Sequence, residues 1–516
     1  MKHAALLAPF LLLTIAPRSV ASPPAGWICE DTPDATPWYE IRGAQAGPTV
    51  LITGGVHGNE PAGALAAEQI RHWKLARGRL IVVPRINQLG LKADTRWYPP
   101  ERNNRPLRDP NRNYPTAEQQ QPRTALAEGV WQFILTVQPD LVVDLHEGFD
   151  FHTTNSKSVG SSVICKPGGG RSLSGERMLA AVNSTIEEQG RKFELLDRSG
   201  PAIGSLARAC AEELNVDAFI LETTFKDQPL SLRTRQHRVM VSTLLTERGL
   251  LAGDQSHVLA ARDSADHTTV AIFDGPGTGS AGVTSLKAIF EADTKTQFAF
   301  VGPTDIQPDI LSQFDVTIFP GGSGSKQGKA LGENRREHVR QYLDSGHGVI
   351  GICAGGYLVS SHYSWSLNVL NTSVYNEMEN VGDGQRKSMW YRGPAADVKM
   401  QFSDAGERMF GHNGIREVRY HNGPIISPGP RDDLPDYEVL ATFRSEVSRY
   451  EPQKGTMVDT PAIVTAPFGK GRVLSISPHP EFTPDLRHMI HDAVRWVAPK
   501  QRDLKNRPPQ PASARP

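Results

Sequence analysis

The chain has 516 residues with 56 basic and 56 acidic side chains, so its formal net charge is zero. That length exceeds one ordinary hydrophobic core and predicts two or three domains. The charge balance removes the electrostatic case for binding nucleic acid or an anionic membrane, and favours a small substrate recognised locally.

The N-terminus, "MKHAALLAPFLLLTIAPRSVASPPAGW", has a basic start, an apolar run from Ala4 to Ala16, and small residues at Ser19 and Ala21. It reads as a signal peptide over residues 1–21, because Pro9 interrupts the run and Pro17 ends it short of the ~20 residues that a bilayer span needs. The expected mature protein is periplasmic or secreted, with no integral span after cleavage. Four cysteines are too few for a disulfide-built scaffold. In an exported chain Cys165 with Cys210, or either with Cys29, are the open pairings, and the sequence does not choose among them.

Apolar runs "TVLITGGV", "RLIVVPRI", "DLVVDLHEG", "SSVICK" and "DAFILETT" read as buried strands, with helical patterns at Pro61 to Trp73 and Gln228 to Gly249. This alternation predicts an α/β domain with a mostly parallel sheet over residues 22–250. The polar "GDQSHVLAARDSADHTT" is the expected linker, residues 251–268. A second α/β series follows over 269–498, through "VAIFDGPG", "FAFVGPTDI", "VTIFPGG", "GVIGICAGG" and "GRVLSISPHPE". The proline-rich tail, 499–516, is expected to be disordered.

"GGVHGNEPAG" places His57 and Glu60 at a strand-to-helix turn, from which both side chains can reach one point. "PDLVVDLHEG" adds His146 at the carboxyl end of a strand, where open α/β sheets build their sites. Two histidines and a carboxylate form a catalytic zinc set with a position left for water. Asp144, two residues earlier, is the expected hydrogen-bond partner of a ligand imidazole, although a backbone carbonyl would serve equally. Glu222, in "DAFILETTF", is the candidate proton acceptor, since a carboxylate at the end of an apolar strand is costly unless used. "DPNRNYP" offers Asn111 and Arg112, a guanidinium and amide suited to a substrate carboxylate or an oxyanion.

In that order, His57-x-x-Glu60, Asn111-Arg112, His146 and Glu222 in "LETTF" resemble the zinc carboxypeptidase superfamily, including its succinylglutamate desuccinylase/aspartoacylase branch, over roughly residues 48–245. The resemblance implies one zinc ion per chain on His57, Glu60 and His146. It also implies Glu222 as general base and then acid, and Arg112 with Asn111 as a clamp on a terminal carboxylate. An arginine for the oxyanion is expected as well; Arg96, Arg102 and Arg105 compete for it, with Arg96 preferred.

"GVIGICAGGYL" sets Cys353 between Gly351 and Gly355 at the end of a buried strand, the form of a strand-to-helix nucleophile elbow. "SISPHPEF" supplies His479 and Glu481, expected to point the same way along an extended segment. "FPGGSGS" offers backbone N–H groups for an oxyanion. These motifs are similar to the class I glutamine amidotransferase-like fold, in the form found at the N-terminus of some biotin-protein ligases. The resemblance implies a Cys353–His479–Glu481 triad on a flavodoxin-like domain. His152, His347, His412 and His421 read as satisfied or surface histidines, and "SMWYRG" as packing.

The leading expectation is thus an exported zinc hydrolase that cleaves an amide beside a free carboxylate in a peptide, an acyl-amino acid or a cell-wall fragment. Thiol catalysis at Cys353, or ligand binding without turnover, are the alternatives.

Overall fold

A computed structural model describes residues 23–261 and 267–499. The expected leader lies outside the described residues, as do 262–266 of the expected linker and 500–516 of the expected tail. Among the described residues no helix is long and apolar enough to cross a membrane.

The first eight strands are β1 (Gly26–Ile28), β2 (Thr36–Arg42), β3 (Gln45–Gly54), β4 (Arg77–Val83), β5 (Leu141–Gly148), β6 (Ser162–Cys165), β7 (Glu194–Leu196) and β8 (Asp217–Thr224). They form one mixed sheet in the order β1-β2-β4-β3-β5-β8-β6-β7. The central strands β4, β3, β5 and β8 are parallel and nearly continuous in apolar residues, as burial on both faces demands. Helices Pro61–Ile70, Gly169–Asn183 and Leu230–Glu247 contribute to the core on one face; Ala125–Val137 and Leu206–Glu213 contribute to the core on the other.

The second half adds β9 (Thr268–Phe273), β10 (Thr296–Val301), β11 (Val316–Phe319) and β12 (Gly348–Ile352), then the short β13 (Thr372–Val374), β14 (Met378–Asn380) and β15 (Arg386–Ser388). It continues with β16 (Ala396–Phe402), β17 (Ile415–Tyr420), β18 (Ile426–Pro428), β19 (Glu438–Phe443), β20 (Pro461–Phe468) and β21 (Gly471–Ile476). Nine of these strands make a sheet in the order β10-β9-β11-β12-β21-β20-β19-β16-β17. The strands from β10 to β21 in that order run parallel, and the rest are antiparallel. The parallel portion agrees with the expected alternation; the antiparallel portion comes from residues 396–468, where no strands were expected.

The two halves are packed together. Ala62, Leu65 and Leu230 join the second half's core cluster. Ser231 N donates to Asp274 Oδ2 at 3.1 Å, and the buried Arg238 reaches Asp305 at 3.5 Å. The expected linker is packed down where it is described: Leu259, Ala260 and Ala261 are buried, and Trp73 Nε1 donates to Val258 O at 3.1 Å. All four cysteines are free thiols, so none of the three open disulfide pairings forms.

Candidate active sites

His57 and Glu60 leave the carboxyl end of β3 through "GGVHGNE", and Pro61 opens the following helix. Gly55 takes a positive φ of 67°, and a Cβ at Gly58 would lie 1.9 Å from the Gly90 carbonyl carbon. Only glycine allows this turn, which is what carries both side chains back over the strand ends. His146 rises from the adjacent parallel strand β5. One ligand atom from each of the three residues falls within 4.8 Å of the others, and all three residues are buried.

The approach of His57 Nδ1 to Glu60 Oε1 is 2.9 Å, yet that nitrogen has no hydrogen bond of acceptable geometry. Two lone pairs converging on a third point behave in this way; a capping or surface pair does not. His146 Nδ1 lies 3.0 Å from Glu60 Oε2. The outer nitrogens are held by carboxylates: His57 Nε2 sits 3.0 Å from Asp109 Oδ1, and His146 Nε2 sits 2.7 Å from Asp144 Oδ2. Each imidazole is thereby oriented with Nδ1 inward, the carboxylate–histidine arrangement that raises ligand basicity. The donor set and its supports fit a zinc ion.

Electrostatics agree with a site built for a cation. Burial disfavours the charged forms, but His57 and His146 outweigh it and hold the Glu60 carboxyl well below the usual carboxylate range. Asp109 is likewise held low against burial by His57, Arg96 and Arg112. Glu222 behaves in the opposite sense: burial, the largest cause, pushes its carboxyl up to about 8 despite His146. It faces His146 across the β5–β8 register, and its carboxyl makes no hydrogen bond among the described residues.

Arg96 is the arginine at the cluster, with Nη1 2.7 Å from Glu60 Oε1 and Nη2 3.3 Å from Asp109 Oδ2. Arg102 and Arg105 lie in an exposed stretch of the same loop. Asn111 is buried; its Nδ2 approaches His146 Nε2 at 3.2 Å and its Oδ1 accepts from Leu206 N at 2.9 Å. That amide is spent on holding the site together. Arg112 is exposed, anchored by a 2.6 Å bond from Nη1 to the Asn111 carbonyl. Asp109 was not among the expected residues. Its only sequence signal was its place at the head of "DPNRNYP", where it also caps the short turn through Asn111 N.

The second cluster lies beyond β12. Cys353 has φ 51° and ψ −102°, a strained conformation for a side-chain-bearing residue and the mark of a nucleophile elbow. A Cβ at Gly351 would meet Gly355 O at 2.3 Å, and one at Gly355 would meet Phe319 O at 2.0 Å. His479 Nδ1 lies 2.7 Å from Glu481 Oε1. The expected pairing is present, but Pro480–Phe482 is a 3-10 turn and not an extended segment. Burial opposes a charged imidazole, yet Cys353 and Glu481 outweigh it and hold His479 up at about 10.

Residues 46–223 match the family model of the succinylglutamate desuccinylase/aspartoacylase catalytic domain, and residues 268–508 match that of the biotin-protein ligase N-terminal domain. Among solved structures, the apo cell shape determinant protein Csd4 of Helicobacter pylori aligns at 18% identity with a TM-score of 0.36, over 42% of this chain and 55% of that one. Its mDAP-bound form, described as a D,L-carboxypeptidase, aligns at 19% identity and TM-score 0.35, over 41% and 54%. A succinylglutamate desuccinylase/aspartoacylase from Rhodobacter sphaeroides aligns at 20% identity and TM-score 0.31, over 42% and 61%. The chain thus spans little more than half the length of the Csd4 structures. No curated protein matches it.

Proposed function

Starting from a chain that joins a succinylglutamate desuccinylase/aspartoacylase catalytic domain to a biotin-protein ligase N-terminal domain, we propose an exported zinc-dependent hydrolase that cleaves an amide beside a free carboxylate. The observation that carries this reading is the convergence of His57 Nδ1, His146 Nδ1 and the Glu60 carboxylate, with Asp109 and Asp144 behind the two imidazoles.

A zinc ion bound there would polarise the scissile carbonyl and bring the pKa of a water from about 16 toward 7. Glu222 takes the proton of the attacking water and later returns it to the leaving nitrogen. Burial suits the second task, because a carboxyl pushed up to about 8 holds the proton taken from the water until the leaving nitrogen accepts it. Arg96 brings a positive charge to the edge of the cluster, where an oxyanion would form. Arg112, exposed beside the site, is the partner for the substrate carboxylate, and Asn111, held through Oδ1 by Leu206 N, fixes the turn that presents it.

Export rests on the N-terminal sequence, and cell-wall peptides follow as one accessible source of amides next to carboxylates; acyl-amino acids are the other. Mass spectrometry of products from a mixture of both, with and without chelator, tests the reading. Metal-dependent release of a single amino acid or acyl group supports it. Turnover that ignores the chelator sinks it.

A further inference from the structure

The biotin-protein ligase-like half contains a cavity of about 700 Å³ that the zinc reading does not use. Cys353 and His479 both line it. Its walls are aromatic: Tyr357, Tyr363, Trp365, Trp390, Tyr391 and Phe482. Tyr363 and Trp365 are stacked, with centroids 4.4 Å apart and planes within 12°, and form a flat surface. Trp390 and Phe482 remain 49% and 36% exposed, so the cavity is open to a ligand from solvent.

The lining contains no Asp, Glu, Lys or Arg. Its amides are engaged already, Asn376 with the Tyr363 hydroxyl at 2.7 Å and Asn422 with the backbone of Arg392 and Gly393. Arg392, next to Tyr391 in the chain, directs its guanidinium to the carbonyls of Val447 and Gln453 and to Thr456. A zwitterionic amino acid such as free glutamine would enter without a partner for either charge, at a cost that an apolar cavity does not offset. Flat, uncharged groups match the walls.

The reactive groups are assembled at the cavity's inner end. Cys353 is strained into the elbow at the head of helix Ala354–Val359, with φ 51° and ψ −102°. Glu481 is buried and holds His479 Nδ1, leaving Nε2 for the thiol. A Cβ at Gly321 would stand 2.8 Å from His479 Cε1 and 3.6 Å from Cys353 Cβ, so that glycine keeps the space around the pair open.

We propose that the chain carries a second hydrolytic site, at which Cys353, served by His479 and Glu481, cleaves uncharged esters or amides with a ring-bearing acyl group. The Cys353 thiolate attacks the carbonyl carbon, the bond to the leaving oxygen or nitrogen breaks, and the leaving group takes a proton from the His479 imidazolium. Water then attacks the thioester and gives a proton to His479. The acid departs and the thiolate is restored.

The test uses the full chain, treated with chelator so that the metal site is silent, and para-nitrophenyl benzoate as probe. After rapid quench, intact mass and peptide mapping of the unsubstituted protein should find the benzoyl group on Cys353. Cys353→Ala should abolish both adduct and nitrophenolate release, and Trp390→Ala should raise KM roughly fivefold through loss of one aromatic contact. L-glutamine should not be consumed. Absence of an adduct, an adduct on another residue, or turnover of glutamine in preference to the ester would each overturn the proposal.

Discussion

Asp144 is fully buried, with Oδ2 2.7 Å from His146 Nε2 and Oδ1 accepting from Thr53 Oγ1 at 2.7 Å. Asp144→Asn keeps this geometry, because the amide oxygen can still accept from His146 while the amide nitrogen donates to Thr53, whose hydroxyl can turn toward Val143 O. What is lost is the charge. A hydrogen bond to a charged group contributes about 1.5–3 kcal/mol against about 1 for a neutral pair, so the substitution should weaken the support by about 1–1.5 kcal/mol, or five- to tenfold in metal affinity. Asp144→Ala leaves the imidazole N–H buried without an acceptor and frees the ring to turn, which should cost up to ~100-fold. Competition with a chromogenic chelator, on protein whose fold is verified by circular dichroism, gives the two affinities. Equal metal affinity in the parent, Asn and Ala proteins would refute the claim that Asp144 orients a ligand.

Other outcomes follow from the same geometry. Glu222→Gln should lower kcat by at least ~100-fold while metal content stays at one equivalent, read by steady-state kinetics and elemental analysis. Because burial raises the folded Glu222 carboxyl to about 8 from an ordinary 4.5, ionising it opposes folding. In chelator-treated protein, Glu222→Gln should therefore melt higher than the parent at pH 8 and above, with the gap closing as pH falls toward 4.5. His479 has the opposite sign: its stabilising charge is fully present below pH 6.5 and is lost as pH rises through about 10. The melting-temperature advantage of the parent over His479→Gln should shrink across that window. Gly355→Ala, whose Cβ would meet Phe319 O at 2.0 Å, should cost about 1–3 kcal/mol in denaturant unfolding and distort the elbow.

The first cluster was legible because its residues follow apolar strands: the candidate ligand His146 and the candidate proton acceptor Glu222 sit where "DLVVDL" and "DAFIL" end, and parallel pairing in register places them side by side. Asp144 was legible by the same alternation, two residues from His146 on one strand face. Asp109 was not, since it lies in a loop without periodicity and reaches His57 only through tertiary folding. In the second half, "GICAGG" and "SPHPE" pointed to Cys353, His479 and Glu481, but the turn at Pro480 that joins His479 to Glu481 did not follow from strand geometry. The antiparallel strands carry an alternating signal: in "ADVKMQF" Val398, Met400 and Phe402 are buried, while Asp397 and Lys399 are exposed. The "SMWYRG" segment read as packing, yet Trp390 and Tyr391 line the Cys353 cavity together with His421, which had read as a satisfied or surface histidine. Which face a loop turns toward a cavity depends on contacts far away in sequence, here the buried Arg392 bonded to residues 447–456.

The most direct test of the central claim is the rate of amide hydrolysis as zinc is returned stepwise to chelator-stripped protein, with His146→Ala alongside. The account predicts a linear rise that stops at one equivalent per chain and no rise in the variant. A rate unchanged by stripping, or one restored equally in His146→Ala, would contradict it.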